Sequence, residues 1–66
     1  MSTIIKNHTL SYGQGIIRDV QFTDCTFTFC LSTIFKDCTF TDCTFENNRF
    51  TEFKGCEIKN TKIKTN

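Results

Sequence analysis

The sequence has no proline, no tryptophan and a single histidine, and no apolar run approaches the roughly 18 residues that are typical of a membrane span. The first ten residues, MSTIIKNHTL, lack the long apolar core of a secretory signal peptide. The net charge of +1 is neither a nucleic-acid-binding footprint nor a strongly acidic surface. These absences predict a cytoplasmic protein that enters no membrane and does not bind nucleic acid directly.

The residues that usually carry chemistry are also few. His8 is the only histidine, and no recognisable motif ties it to an acid or a thiol. The chain is too short to enclose a substrate pocket of ordinary size. Successive cysteines are five, eight, five and thirteen positions apart, never at the C-x2-C spacing of a zinc site. We therefore predict no catalytic residue, no metal and no cofactor, and reduced thiols that pack in the core: Cys25, Cys30, Cys38, Cys43 and Cys56.

Phenylalanine and threonine are abundant instead, with eight Phe and twelve Thr in the 66-residue chain. Both favour β-strands. In the stretch KDCTFTDCTF, residues 36–45, alternation along a strand puts Cys and Phe on one face and Thr on the other. This pattern predicts an all-β protein, and the length allows one domain, residues 1–66.

The apolar positions repeat along the chain. They are spaced by five within groups and by eight between groups: Phe22, Phe27, then Phe35, Phe40, Phe45, Phe50, then Ile58, Ile63. Three steps of five and one of eight give a 23-residue coil, and spacings of five and two exclude an α-helix. The repeat predicts a parallel β-helix of just under three coils, since such coils bury their inner faces only by stacking. Residues 1–14 would form an incomplete first coil, and residues 15–65 the repeats.

The pattern of a small residue, any residue, then Phe, at every fifth position, resembles the pentapeptide-repeat family. The matching segments are VQFTD (20–24), CTFTF (25–29), CTFTD (38–42), CTFEN (43–47) and NRFTE (48–52), with weaker CEIKN (56–60) and TKIKT (61–65). The resemblance implies a right-handed, four-sided β-helix. In the 23-residue alignment the chain departs from the family by three extra residues per coil, at 32–34 and 55–57. A less regular right-handed β-helix of the pectate-lyase type is the alternative.

Four apolar residues fall in columns that are otherwise polar: Ile16, Phe29, Leu31 and Ile34. A cluster of exposed apolar residues indicates an interface. Our hypothesis is that these residues contact a partner or a second copy of the chain. The alternative is that the eight-residue side bulges and tucks Phe29 or Leu31 into the core.

Four aspartates form a candidate acidic surface: Asp19, Asp24, Asp37 and Asp42. The 23-residue alignment stacks Asp19 on Asp42. Pentapeptide-repeat proteins include inhibitors of DNA gyrase whose acidic surface imitates the DNA backbone, and the resemblance implies the same possibility here. An ordinary solvated face is the alternative.

A short β-helix exposes unpaired strand edges at both ends. Domains below about 70 residues often need an added source of stability, so we expect a homodimer, with a monomer with frayed ends as the alternative. The predicted function is a non-catalytic protein–protein interaction module. It would inhibit or modulate a larger protein, such as a host defence or nucleic-acid-processing protein, in the style of phage proteins. The alternatives are a DNA-mimicking topoisomerase modulator and a self-assembling structural β-helix.

Overall fold

The computed structural model describes residues 3–64, and this range is built from eleven short β-strands without a helix. The all-β prediction is confirmed. Residues 1–2 and 65–66 of the expected domain lie outside the described range. The strands are β1 (Thr3–Lys6), β2 (Thr9–Ser11), β3 (Gly15–Arg18), β4 (Val20–Thr23), β5 (Thr26–Thr28), β6 (Thr33–Lys36), β7 (Thr39–Thr41), β8 (Thr44–Glu46), β9 (Glu52–Lys54), β10 (Glu57–Lys59) and β11 (Lys62–Lys64).

The strands form three parallel sheets along a solenoid of about three coils, as predicted. Sheet A has the order β1-β4-β7-β10, sheet B the order β2-β5-β8-β11, and sheet C the order β3-β6-β9. Each strand from β1 to β8 therefore pairs with the strand three places further along the chain, because one coil contributes one strand to every sheet. The stacked coils bury their inner residues against one another.

The coil is shorter than the sequence analysis predicted. Gln21 pairs with Thr39, and Thr39 pairs with Glu57, which defines an 18-residue coil. The first coil is one residue shorter, since Thr9 pairs with Thr26. The predicted 23-residue period is wrong, and so are the stackings derived from it.

The coil length follows from its corners, where the backbone takes a positive φ. In one coil these corners are Asp24, Phe29, Ser32 and Asp37, each with φ between 53° and 55°. These corners divide the coil into three sides of five residues and one side of three residues. We call this shorter side, residues 30–32, the short side. The short side forms no strand of its own, and its β-pairing with the next coil is an isolated bridge between Leu31 and Arg49. The coil thus has no three-residue insertion at 32–34 or 55–57.

Phe50 caused the error in the period. It lies five residues after Phe45 and so continues the interior series, but its side chain is 80% exposed and its φ is 55°. The next interior aromatic after Phe45 is Phe53, which stacks on Phe35 with ring centroids 5.6 Å apart. Segment 48–52 is therefore not a pentad, because residues 48–50 form the short side of their coil.

The core is a set of phenylalanine columns running along the solenoid axis. Phe22 stacks on Phe40 at 5.2 Å, and Phe27 on Phe45 at 4.5 Å. Between columns the rings meet edge to face, as Phe35 does with Phe40 at 5.0 Å. Both arrangements suit the quadrupole of an aromatic ring. Alternation along each strand therefore builds a closely packed interior from strands of three or four residues.

A second set of inward residues is small and carries a thiol or a hydroxyl group. Seven of them donate both to a carbonyl of the previous coil and to the carbonyl two residues earlier, as Cys43 Sγ does to Phe22 O and Thr41 O. Thr61 Oγ1 makes the same pair of bonds, to Phe40 O and Lys59 O. We call the inward position of these residues the small inward slot. It suits a short side chain that can donate a hydrogen bond. Its occupants include Cys25, Cys30, Thr33, Cys38, Cys43, Cys56 and Thr61.

One pair of threonines allows this bonding to be tested. Thr33 is fully buried and its Oγ1 donates to Gly13 O at 3.0 Å, whereas Oγ1 of Thr51, one coil later, is buried without a partner among the described residues. Thr33→Val should lower the free energy of unfolding by about 1–2 kcal/mol, and Thr51→Val should leave it unchanged or raise it. Urea unfolding measures both. Equal losses in the two variants would contradict this assignment of the hydroxyl bonds.

Candidate protein-binding surface

The short side and its neighbouring corner carry exposed aromatic and aliphatic side chains. Phe29 is 46% exposed and Leu31 is 43% exposed. The ring of Tyr12, one coil earlier at the same corner, stacks on Phe29 with centroids 5.6 Å apart and planes at 13°. The structure therefore places both Phe29 and Leu31 outside the core. The alternative in which Phe29 or Leu31 fills the interior is wrong.

A groove of about 290 Å³ lies beside this corner. We call it the aromatic groove; its walls are Phe29, Leu31, Asn47, Asn48 and Arg49. Asn48 is fixed in place, since its Oδ1 accepts from Cys30 N at 2.7 Å and its Nδ2 donates to Phe27 O at 3.2 Å. The groove thus has an aromatic wall, a backbone that is fixed by hydrogen bonds, and an arginine in its lining.

The other two predicted interface residues lie on the outer face of sheet C. Ile16 and Ile34 are register partners on β3 and β6, and Ile16 is 57% exposed. The corner at Ser32 separates them from Leu31. The four residues therefore form two pairs on consecutive sides of the solenoid, one pair in the aromatic groove and one on the sheet.

Sequence reasoning missed three residues of this region: Tyr12, Arg49 and Phe50. The 23-residue alignment keeps Phe50 in the interior series and superposes Tyr12 on the interior residue Phe35, yet the side chains of Tyr12 and Phe50 are 75% and 80% exposed. Tyr12 and Phe29 are 17 residues apart, which is the length of the first coil, so the correct period would have placed one ring on the other. The wrong period concealed it, because the 23-residue shift also places Tyr12 on Phe35 and so gives a second apolar match.

The four aspartates are corner residues, with φ between 53° and 55°. Asp and Asn tolerate this left-handed conformation better than other residues with a β-carbon. The register stacks Asp24 on Asp42 and Asp19 on Asp37, so the predicted stacking of Asp19 on Asp42 is wrong. The acidic residues form two separate columns, one at each end of sheet A's strands. Asp42 also accepts a hydrogen bond from Asn60 Nδ2.

Gly55 continues one of these columns. Its φ is +62°, and a β-carbon there would lie 2.7 Å from Oδ1 of Asp37. Glycine at this corner therefore leaves room for the carboxylate of the coil before it. Corner geometry accounts for these residue types without reference to a ligand.

The thiols lie inside the solenoid. Burial raises the pKa of the Cys38 and Cys43 thiols above the ordinary range. Both therefore stay protonated at neutral pH, which disfavours nucleophilic attack and metal binding. Residues 3–64 contain no group of three or more His, Cys, Asp or Glu side chains placed to hold a metal ion.

The two ends of the solenoid differ. At the first coil, a concavity of about 190 Å³ is lined mainly by apolar side chains, including Ile5, Leu10, Ile17 and Val20, with His8 beside them. At the last coil, Ile58 and Ile63 are 42% and 48% exposed, because no later coil of residues 3–64 covers them. Lysine and glutamate flank these two residues on the last strands, as in protected edge strands.

Within the described range there is no helix long and apolar enough to cross a bilayer. No protein-family model matches this chain, and no curated protein matches it.

Proposed function

We propose that the protein is a non-catalytic interaction module that binds a larger protein through the aromatic groove. The observation that carries the proposal is the exposed stack of Tyr12 on Phe29 beside Leu31 and Arg49. Aromatic residues and arginine are the side chains most enriched at the energetic centres of interfaces. Elsewhere on sheets A and B, the outward positions are mostly threonine and charged residues.

Rigidity favours this use of the surface. The groove lies on a coil whose backbone bonds to the coils before and after it, as Leu31 N does to Gly13 O and Arg49 N to Cys30 O. A surface that is already ordered loses little conformational entropy on binding. A small inhibitor or modulator of a larger host protein, of the kind that phages carry, would use such a surface.

We further propose that the chain is an irregular pentapeptide-repeat protein. With the corners as boundaries, residues 33–47 divide into TIFKD, CTFTD and CTFEN, and the next full sides are TEFKG and CEIKN, residues 51–60. Every unit has a small inward residue, an inward Phe or Ile two positions later, and a corner at its fifth position. The departure from the family pattern is the three-residue short side, which removes two residues from each coil.

A homodimer formed through the first-coil end is part of the proposal. That end combines an apolar concavity with one edge each of β1, β2 and β3, and no other strand of residues 3–64 pairs with these edges. The same feature favours the second candidate function, a self-assembling structural β-helix. Analytical ultracentrifugation over a concentration series distinguishes a closed dimer from continued growth. The DNA-mimic alternative has no comparable support, since corner geometry already explains the aspartates.

The test is capture of a partner from bacterial lysate, with and without phage infection, by the tagged protein and by Phe29→Asp. Aspartate suits the positive φ of position 29, so the variant should fold and lose capture by about tenfold or more. Ile4→Asp is the matched control, because Ile4 is an exposed apolar residue on sheet A. Capture that survives in Phe29→Asp, or is lost equally in both variants, would contradict the proposal.

A further inference from the structure

The outer face of sheet C carries two parallel columns of side chains. The first column is Ile16, Ile34 and Glu52, and the second is Arg18, Lys36 and Lys54. Members of each column are register partners on β3, β6 and β9. Adjacent strands are about 4.8 Å apart, so three cations stand in a row beside a short apolar row. We call these two columns the sheet C face.

The cationic column is only partly neutralised by the chain itself. Lys54 Nζ lies 3.9 Å from Glu52 Oε2. Arg18 and Lys36 make no ion pair with any residue of the described range, although Asp19 and Asp37 follow them in the sequence. The Asp37 carboxylate lies against Gly55 of the next coil. Like charges on directly opposed positions of neighbouring strands destabilise a sheet, and an anionic partner would relieve this repulsion.

The apolar column lies two residues from the cationic column along each strand. Ile16 precedes Arg18 on β3, and Ile34 precedes Lys36 on β6. Side chains at these positions point to the same face, roughly 7 Å apart. A complementary partner must therefore present an apolar row beside an acidic row, both running along the solenoid axis.

The spacing along the axis selects the backbone of that partner. An α-helix places side chains three or four residues apart at about 5–6 Å on one face, close to the separation of the coils. An extended strand lying along the axis would place them about 7 Å apart and would lose register with the cations after one step. Three coils correspond to about two turns of helix.

We propose that the sheet C face binds an amphipathic helix of a partner protein. The helix would lie along the solenoid axis, with its apolar stripe on Ile16 and Ile34 and its carboxylates opposite Arg18, Lys36 and Lys54. The proposal rests on the proposed function, because the helix would belong to the protein that the aromatic groove contacts. Phe50, at the corner between the two surfaces, would close one edge of the helix site.

The experiment uses the full chain and two synthetic helices of about 14 residues, since shorter isolated helices are marginal. Both carry leucine at helical spacing, flanked by a row of glutamate in one peptide and of lysine in the other. Fluorescence anisotropy should show the glutamate helix binding about tenfold or more tightly than the lysine helix. Equal binding of the two peptides would overturn the proposal.

Charge reversal locates the site. Arg18→Glu combined with Lys36→Glu should weaken binding of the glutamate helix by about tenfold or more. Lys59→Glu combined with Lys62→Glu makes the same change in net charge on sheets A and B, and should alter binding by less than about twofold. Equal weakening in the two double variants would overturn the assignment to sheet C. Both variants should keep the β-sheet circular dichroism spectrum of the unmodified chain.

Two further probes separate this proposal from other anionic ligands and from the proposed function. Tighter binding to phosphatidylserine vesicles or to a DNA duplex than to the glutamate helix would overturn it in favour of those ligands. Lysate capture lost in Phe29→Asp but retained in the Arg18→Glu, Lys36→Glu variant would leave the proposed function standing and remove the helix site. Capture retained in Phe29→Asp, together with intact binding of the glutamate helix, would contradict the proposed function and leave the helix site standing.

Discussion

Phe40→Ala is expected to unfold the protein at room temperature. Phe40 is completely buried at the centre of the core, and five aromatic rings surround it: Phe22, Phe27, Phe35, Phe45 and Phe53. Phe→Ala substitutions in cores cost about 3–5 kcal/mol. A single core in a domain of this size rarely supplies more than about 3–5 kcal/mol of stability. Far-UV circular dichroism during thermal melting measures the outcome.

Phe50→Ala is the matched control for this prediction. It makes the same chemical change, but the ring is 80% exposed. The free energy of unfolding should change by less than about 0.5 kcal/mol. A 23-residue coil would instead place Phe50 inside and make the two variants equally damaging. A large loss of stability in Phe50→Ala would therefore contradict the 18-residue coil.

Asn48→Ala is expected to have the second largest effect. The amide bonds both to Cys30 N and to Phe27 O, across the gap that the short side leaves between two coils. Alanine would leave the part-buried N–H of Cys30 without the acceptor that Asn48 supplies. An unsatisfied group of this kind costs about 1–3 kcal/mol, so a loss of about 2 kcal/mol is expected. The urea midpoint should fall while the slope of the transition stays constant.

Gln21→Ala serves as the comparison for Asn48, because Gln21 is also an amide but lies exposed on the outer face of β4. Its substitution should change stability by less than about 0.5 kcal/mol. Amide hydrogen exchange gives a second measurement, since the Cys30 N–H should lose protection in Asn48→Ala. Unchanged protection at Cys30 would show that the Asn48 side chain does not hold the short side.

The two proposed binding surfaces share one cause in the fold. The short side has no room for the inward Phe of a full side, so its coil turns twice in quick succession, at Phe29 and Ser32. The turn at Phe29 brings this ring out against Tyr12, and the turn at Ser32 begins sheet C with Ile34 facing outward. The irregularity of the repeat therefore creates the apolar surface that a regular solenoid would lack.

The period could have been found from the sequence by accepting threonine in the small inward slot. Thr33-Ile34-Phe35 and Thr51-Glu52-Phe53 then match the pattern of a full side, as Cys38-Thr39-Phe40 does. The recurrence of Asp, Asn and Gly at the fifth position marks the corners independently. Phe50 led to the wrong period because hydrophobicity does not distinguish an inward ring from a ring at an exposed corner.

The sequence by itself determined the kind of structure. Alternation of small residues and phenylalanine at five-residue spacing requires strands whose inner faces are buried only by stacking, and this is independent of the coil length. Tertiary structure alone decided the register, because several alignments place apolar residues over apolar residues. The pairing of Gln21 with Thr39 through backbone hydrogen bonds selects one of these alignments. The cationic column of Arg18, Lys36 and Lys54 exists only in that register, since these residues are 18 positions apart and meet only when 18-residue coils stack.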